Sequence, residues 1–275
     1  MTSLLSCHGV LYRAAATGTQ SHVYSGFTDV PYNTGPATTA STPIKLNDQR
    51  HHRTIQSFVR REGRITRGQQ RALDELWPKY GIPDHEPASL DNLFGRLAPR
   101  TLEIGFGNGE ALAGMAEQQP EHDFIGIEVH RPGVGHLLQL LDKRGIDNVR
   151  IYNADAVRVL KECIPDHSLD RLLLFFPDPW HKKRHHKRRI VQPGFAELLA
   201  EKLVSGGILH MATDWQDYAE HMLAVMQASG HFRNCAGPDN YSPRPDYRPL
   251  TKFEQRGRRL GHDVYDLLFE RMPAD

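Results

Sequence analysis

No run of 18 or more apolar residues interrupts the 275-residue chain, so no membrane-spanning helix is indicated. Cysteine is scarce. Cys7, Cys163 and Cys235 are scattered and odd in number, which is no disulfide framework and fits a reducing cytosol. A cytoplasmic protein is expected. Neither sign of charge dominates: 34 Lys and Arg face 33 Asp and Glu, for a formal net charge of +1. A polyanionic partner would therefore be met by local clustering of base, not by the overall field. The first 44 residues hold almost no charge at all, with Arg13 and Asp29 alone. They are rich in Ser, Thr, Gly and Ala and keep neither a helical nor a strand period, so a disordered low-complexity extension is expected. They also lack the basic start and apolar core of a secretory signal. An organelle transit peptide is the alternative, with only one Arg to support it.

Lys45 marks a change of character, and residues 45–275 read as a single domain. It opens on a basic arm at about 53–72, where Arg60, Arg61, Arg64, Arg67 and Arg71 precede a short helical stretch with Leu73, Leu76 and Trp77. This is either a solvated lead-in to a helix or a phosphate-contacting arm. Beyond Arg100, short apolar runs alternate with helical periods. TLEIGFGNG (101–109) reads as strand then glycine turn. FIGIEV (124–129), VRIYNADA (149–156), RLLLFFPD (171–178) and GGILHMATD (206–214) read as further strands. Phe195, Leu198, Leu199 and Leu203 keep a helical spacing, as do Tyr218, Met222, Val225 and Met226. Such alternation predicts an α/β fold, a mostly parallel sheet with helices on both faces.

The loop EIGFGNGE (103–110) follows the first strand and opens a helix. Gly105, Gly107 and Gly109 allow a tight turn and close approach to a ligand. The third glycine of a dinucleotide fingerprint is missing: Glu110 or Leu112 stands in its place, depending on the starting glycine. A tight structural turn is the bland alternative. Glu128 lies 19 residues past Gly109 at a strand tip, where a carboxylate can accept both hydroxyls of a ribose. A solvated loop Glu is the bland reading there. Asp155 follows the third strand, where such folds contact an adenine edge. Glu103 sits inside the first strand, where a carboxylate is costly to bury unpaired. With Asp178 and Asp214, acids stand in or just past five successive strands. A parallel sheet binds ligands at its carboxyl edge, so these acids suit one site for a cationic ligand.

Residues 175–189, FFPDPWHKKRHHKRR, place Asp178 between Pro177 and Pro179, then Trp180, then nine residues that are all Lys, Arg or His. The prolines stiffen the backbone around the acid. Lys182, Lys183, Arg184, Lys187, Arg188 and Arg189 supply six permanent charges suited to phosphates. His181, His185 and His186 read as metal ligands only weakly, because neighbouring cations repel a metal and no Cys or carboxylate shares the cluster. No metal is expected. A nuclear-localisation-like run is a further alternative, against which the upstream DPW argues.

The E-x-G-x-G-x-G spacing resembles motif I of S-adenosylmethionine-dependent methyltransferases. LEIGFGNG, GIEVHRPGVG, FFPDPWHKKRHHKRRIVQ, HMATDW and RPLTKFEQRG together resemble the bacterial tRNA (guanine-N(7)-)-methyltransferase family, over about Arg53 to Arg271. The resemblance implies a seven-stranded, Rossmann-like methyltransferase fold and methylation of guanine 46 in the tRNA variable loop. It assigns Glu103, Gly105, Gly107, Gly109, Glu128, Asp155 and Asp178 to the S-adenosylmethionine site, with Asp178 also the catalytic acid. It assigns Lys182, Asp214, Thr251, Lys252, Phe253 and Glu254 to the substrate, and Arg184, His185, His186, Lys187, Arg188 and Arg189 to RNA. A monomer is expected, with a homodimer as the alternative. The first 44 residues depart from what the family needs.

The chemistry these residues suit is direct attack by guanine N7, whose lone pair is free and carries no proton. A fixed carboxylate stabilises the positive charge that develops on the base. Asp178 suits that role, or orients the base through its Watson–Crick donors. Asp214 and Glu254, acceptor-only when ionised, match the N1–H and amino donors of guanine. Looped RNA makes it easier to draw the base from its stack. Three other readings compete. DPW is similar to the D-P-P-Y motif of amino-group methylases, without its second proline. A nicotinamide-dependent dehydrogenase would need the missing glycine. A non-catalytic RNA-binding module would leave the row of acids unexplained.

Overall fold

A computed structural model describes residues 57–58, 63–85, 87–250, 254 and 263–273. The chain divides into Met1–Thr54 and a compact unit, Ile55–Asp275. The expected N-terminal extension, Arg60 and Arg61 of the arm, and Thr251, Lys252 and Phe253 lie outside the described residues.

The arm leads into α1 (Arg67–Tyr80), whose start is fixed by a capping box. The Gln69 amide donates to Thr66 Oγ1 at 3.2 Å, while the Thr66 amide donates to the Gln69 side chain at 2.9 Å. Two of the amides a helix start leaves unpaired are thereby satisfied. A short α2 (Leu90–Phe94) ends at Gly95 with φ 67°. Then strands and helices alternate: β1 (Arg100–Ile104), α3 (Glu110–Gln118), β2 (Asp123–Ile127), α4 (Arg131–Arg144), β3 (Val149–Tyr152), α5 (Ala156–Glu162) and β4 (Leu169–Phe175). A 3₁₀ turn (Lys183–Arg188) precedes α6 (Pro193–Lys202), β5 (Leu203–Thr213), α7 (Gln216–Ala228), β6 (Phe232–Asn234) and β7 (Tyr265–Arg271).

The sheet has seven strands in the order β3-β2-β1-β4-β5-β7-β6. The first five are parallel to their neighbours. β7 runs antiparallel to both β5 and β6. The sheet is therefore mostly parallel, and its chain order reverses at β1, where β1 leads to β2 on one side and pairs with β4 on the other.

The side chains of β2, β3 and β4 divide between two separate cores. Leu102, Ile104, Ile125, Ile127, Leu172 and Leu174 face a cluster that also takes in residues of α5, α6 and α7. Phe124, Ile151 and Leu173 face the opposite cluster with α1, α3 and α4. Both faces of the sheet are covered, which is why the strands read as continuous apolar runs. Each fully buried Leu or Ile contributes roughly 1.5–3 kcal/mol of transfer free energy. Two details differ from the sequence reading. α6 ends at Lys202, and Leu203 begins β5 instead of closing the helix. β6 and β7 carried no pattern that singled them out.

Candidate active site

Because the first five strands are parallel, their carboxyl ends lie along one edge, and the five acids follow it in spatial order. Asp155 lies past β3, Glu128 just past β2, Glu103 within β1, Asp178 past β4 and Asp214 directly after β5. A cavity of about 240 Å³ opens at this edge. Gly105, Glu128, Val129, Ala154, Phe175, Phe176 and Asp178 line it, and Ser57 and Phe58 of the arm complete the lining.

The glycine loop is left-handed at three alternate positions, with φ 73° at Gly105, 59° at Gly107 and 76° at Gly109. A Cβ at Gly109 would also stand 2.7 Å from Leu137 of α4. The loop is held from across the site. The Gly107 amide donates to Glu128 Oε2 at 2.9 Å, and Glu128 Oε1 accepts from the amides of Val129 and His130 at 2.7 and 2.9 Å. The Asn153 side chain donates to the Glu128 carbonyl at 2.7 Å. Sequence reasoning missed Gly133 at the start of α4. A Cβ there would meet the Gly107 carbonyl oxygen at 2.1 Å, so only glycine lets that helix close on the loop. The PGVG at its start was the available signal.

Glu103 is 3 % exposed. Its Oε2 is buried and has no hydrogen-bond partner among the described residues. Burial, with the charge of Glu128 adding to it, pushes its carboxyl up to about 8. A buried carboxyl oxygen of this kind suits a donor or a cation. Asp155 lies between the lining residues Ala154 and Ala156, and its Oδ1 caps α5 by accepting from the Arg158 amide at 3.0 Å.

The loop after β4 places Asp178 between two non-glycine residues with positive φ, Phe176 at 50° and Trp180 at 48°. Such residues cost of order 1–3 kcal/mol each and persist only where their surroundings fix them. The Asp178 side chain is exposed at the cavity rim and makes no hydrogen bond or ion pair with another described residue.

The basic run turns over the same edge. Lys182, Lys183, Arg184 and Lys187 are exposed, and His185 and His186 are half-buried. Arg188 lies 3.8 Å over the Trp180 ring and donates to the Phe58 carbonyl at 3.3 Å. Arg189 is placed differently from its neighbours. It is 2 % exposed, donates to the Pro179 carbonyl at 3.0 Å and pairs with Asp217. Its guanidinium braces the Asp178 loop from within. Beyond β5, Asp214 is half-buried, and the exposed Trp215 packs edge-on against His181, ring centres 4.1 Å apart. Glu254 is 1 % exposed, and both its oxygens accept from Arg248, at 2.6 and 3.1 Å. Sequence reasoning gave Arg248 no role. Among the described residues, no group of three or more His, Cys, Asp or Glu is arranged to hold a metal ion. None of the described helices is long and apolar enough to cross a membrane.

A parallel sheet closed by an antiparallel β7, with a three-glycine turn after β1 facing an acid after β2, defines a Rossmann-like methyltransferase. A family model described as "Putative methyltransferase" matches residues 97–267. A 16S rRNA methyltransferase of known structure, KamB, superposes with a TM-score of 0.52 at 16% identity, covering 70% of this chain and 98% of that one. That likeness shows the fold alone. Sequence likeness goes further. A protein of Ectopseudomonas mendocina (strain ymp) named tRNA (guanine-N(7)-)-methyltransferase is 58% identical over 235 residues, spanning 85% of this chain and 99% of its own length. One of the same name from Alcanivorax borkumensis is 60% identical over 220 residues, 80% of this chain and 92% of that protein. The chain belongs to the tRNA (guanine-N(7)-)-methyltransferase family.

Proposed function

We propose that this chain transfers a methyl group from S-adenosylmethionine to N7 of a guanine in tRNA, at position 46 of the variable loop. The observation that carries the reading is one loop. On it, Asp178 stands at the rim of the cavity without a hydrogen-bond or ion-pair partner among the described residues, and four exposed cations follow within nine residues.

The residues along this edge fit the cofactor chemically. The unpartnered oxygen of buried Glu103 suits its ammonium. Glu128 suits the ribose, since its Oε2 accepts one amide and retains a lone pair, whereas Oε1 is taken by two amides. The Gly105–Gly109 turn leaves room along the methionine portion, and Asp155 stands at the adenine side. When bound, S-adenosylmethionine supplies a sulfonium methyl that the N7 lone pair takes with no proton removed, leaving a neutral thioether.

The remaining work belongs to the protein. Asp178 faces the positive charge that develops on the imidazole ring, or holds the base by its donors; either use needs the rigid loop. Asp214 accepts from the Watson–Crick edge of guanine, Lys182 meets the backbone, and Thr251, Lys252 and Phe253 hold the base. Lys183, Arg184 and Lys187 contact tRNA phosphates, with His185 and His186 beside them. Arg188 and Arg189 support that loop, Arg188 from its stack on Trp180.

Transcripts made with guanine or with 7-deazaguanine test the target atom. Labelled methyl from S-adenosylmethionine is expected on the first and absent from the second. Equal incorporation into both would place the methyl elsewhere and discard the reading.

A further inference from the structure

We infer that Arg248 is a positioning residue for methyl transfer, and that Glu254 acts through Arg248 instead of on the base. The inference rests on the assignment of Thr251, Lys252 and Phe253 to the target guanine.

Arg248 is 1 % exposed and heads the largest fully buried side chains among the described residues. Each edge of its guanidinium meets a carboxylate. Nε and Nη2 donate to the two oxygens of Asp266 at 2.7 and 2.9 Å. Nη1 and Nη2 donate to the two oxygens of Glu254 at 2.6 and 3.1 Å. Planar two-point pairing of this kind fixes orientation as well as distance, which a lysine cannot do.

The other side of the hub is anchored in the sheet. Asp266 lies on β7, in register with Ala212 of β5. His210 of β5 joins it, with Nε2 2.8 Å from Asp266 Oδ1. Burial holds the imidazole below its ordinary pKa. Burial alone would raise the Asp266 carboxyl, but the bonds from His210 and Arg248 outweigh it and keep that group ionised. An ionised carboxylate only accepts, so the neutral ring donates from Nε2. Nδ1 then accepts from the Tyr247 hydroxyl at 2.9 Å, a phenol that burial pushes up to about 12. Arg171 of β4 lies 4.3 Å over the Tyr247 ring. Two cations, Arg171 and Arg248, thus balance Asp266 and Glu254 across three adjacent strands.

The same guanidinium reaches the loop of Asp178. It stands 6.0 Å from the Phe175 ring centre and 5.9 Å from that of Phe176. Phe175 and Phe176 line the cavity, and Phe176 holds the positive φ that sets the direction of the next residues. One buried cation therefore meets the rings of the segment that carries Asp178 and also holds Glu254, which follows Thr251, Lys252 and Phe253 in the sequence. Buried ion pairs add little net stability compared with apolar packing, and specifying one arrangement is the use that remains. Both oxygens of Glu254 accept from Arg248 and the residue is 1 % exposed, so the guanidinium holds this carboxylate directly.

The test compares the unaltered chain with Arg248→Lys, Glu254→Gln and the double variant. Single-turnover methyl transfer to tRNA is read beside cofactor affinity and thermal melting. Each single variant is expected to lose about 10²-fold in rate, the scale of a displacement near 1 Å, with cofactor affinity held within about twofold. The double variant is expected to be no slower than the slower single one, because the two residues act as one unit. Near-normal turnover in Arg248→Lys with an inactive Glu254→Gln would overturn the inference, since Glu254 would then act directly. Multiplying losses in the double variant would overturn it too. So would a joint loss of cofactor binding and cooperative melting, which marks a support of the fold alone. Absence of transfer by the unaltered chain overturns the functional reading along with the inference, whereas a failure confined to the variants overturns the inference alone.

Discussion

The amide of Gly107 and the carboxylate of Glu128, 2.9 Å apart, join the turn after β1 to the tip of β2. The acid proposed to face the cofactor also sets the shape of the glycine turn, since its other oxygen holds the amides of Val129 and His130. Glu128→Ala removes the acceptor for three amides and one ligand contact together. Hydrogen bonds to a charged group contribute about 1.5–3 kcal/mol, so cofactor affinity is expected to fall at least tenfold in equilibrium binding. An unchanged affinity would separate Glu128 from the cofactor.

On the proposed assignment, Glu103 should make cofactor binding depend on pH. Its folded carboxyl titrates near 8, above the ordinary value of 4.5. In the free protein it holds its proton at neutral pH, so binding a cationic ammonium expels that proton. Affinity should rise with pH up to about 8 and level off above it. Calorimetry in two buffers of different ionisation heat should show close to one proton released at pH 7, and none for Glu103→Gln. The stability consequence has the opposite sign. The unfolded chain releases this proton from about pH 4.5 and the folded one only near 8, so this group lowers the stability of the free protein progressively across that window.

The basic loop divides into two functions. Replacing Lys183, Arg184 and Lys187 with Gln should lower the salt slope of tRNA binding by about 2–3, at roughly 0.7–0.9 per lost phosphate contact. Melting should hardly change, because all three are exposed. Arg189→Gln should do the reverse, lowering the melting temperature and leaving the slope alone, because the lost partners are Pro179 and Asp217. An unchanged slope in the triple variant would mean that this face does not meet RNA.

Asp178→Asn keeps the shape of the loop and removes the charge. Cofactor and tRNA affinities should stay within a few-fold, while the single-turnover rate falls about 10²–10³-fold, the usual scale for losing one electrostatic contact to a transition state. Near-normal turnover would remove the charge of Asp178 from the mechanism.

The sequence carried the first half of the sheet clearly, because strands covered on both faces read as unbroken apolar runs and each ends near a Gly, Pro or acid. Glu103, Glu128, Asp155, Asp178 and Asp214 were found by their place relative to those runs. β6 and β7 escaped because an antiparallel pair at the sheet edge has mixed faces: Arg233 and Glu270, cross-strand partners at 2.6 Å, look like ordinary surface charge. Arg189 was indistinguishable from its neighbours in a run of nine bases, since only the tertiary position of Asp217 turns it inward. Arg248 was hidden for the same reason. Its two carboxylates are 6 and 18 residues away, and no local period links them.

The most direct measurement is methyl transfer from labelled S-adenosylmethionine to tRNA lacking the modification, followed by digestion and nucleoside analysis. The account predicts label in 7-methylguanosine, mapping to position 46. Label in any other nucleoside, or none while the cofactor binds, would contradict it.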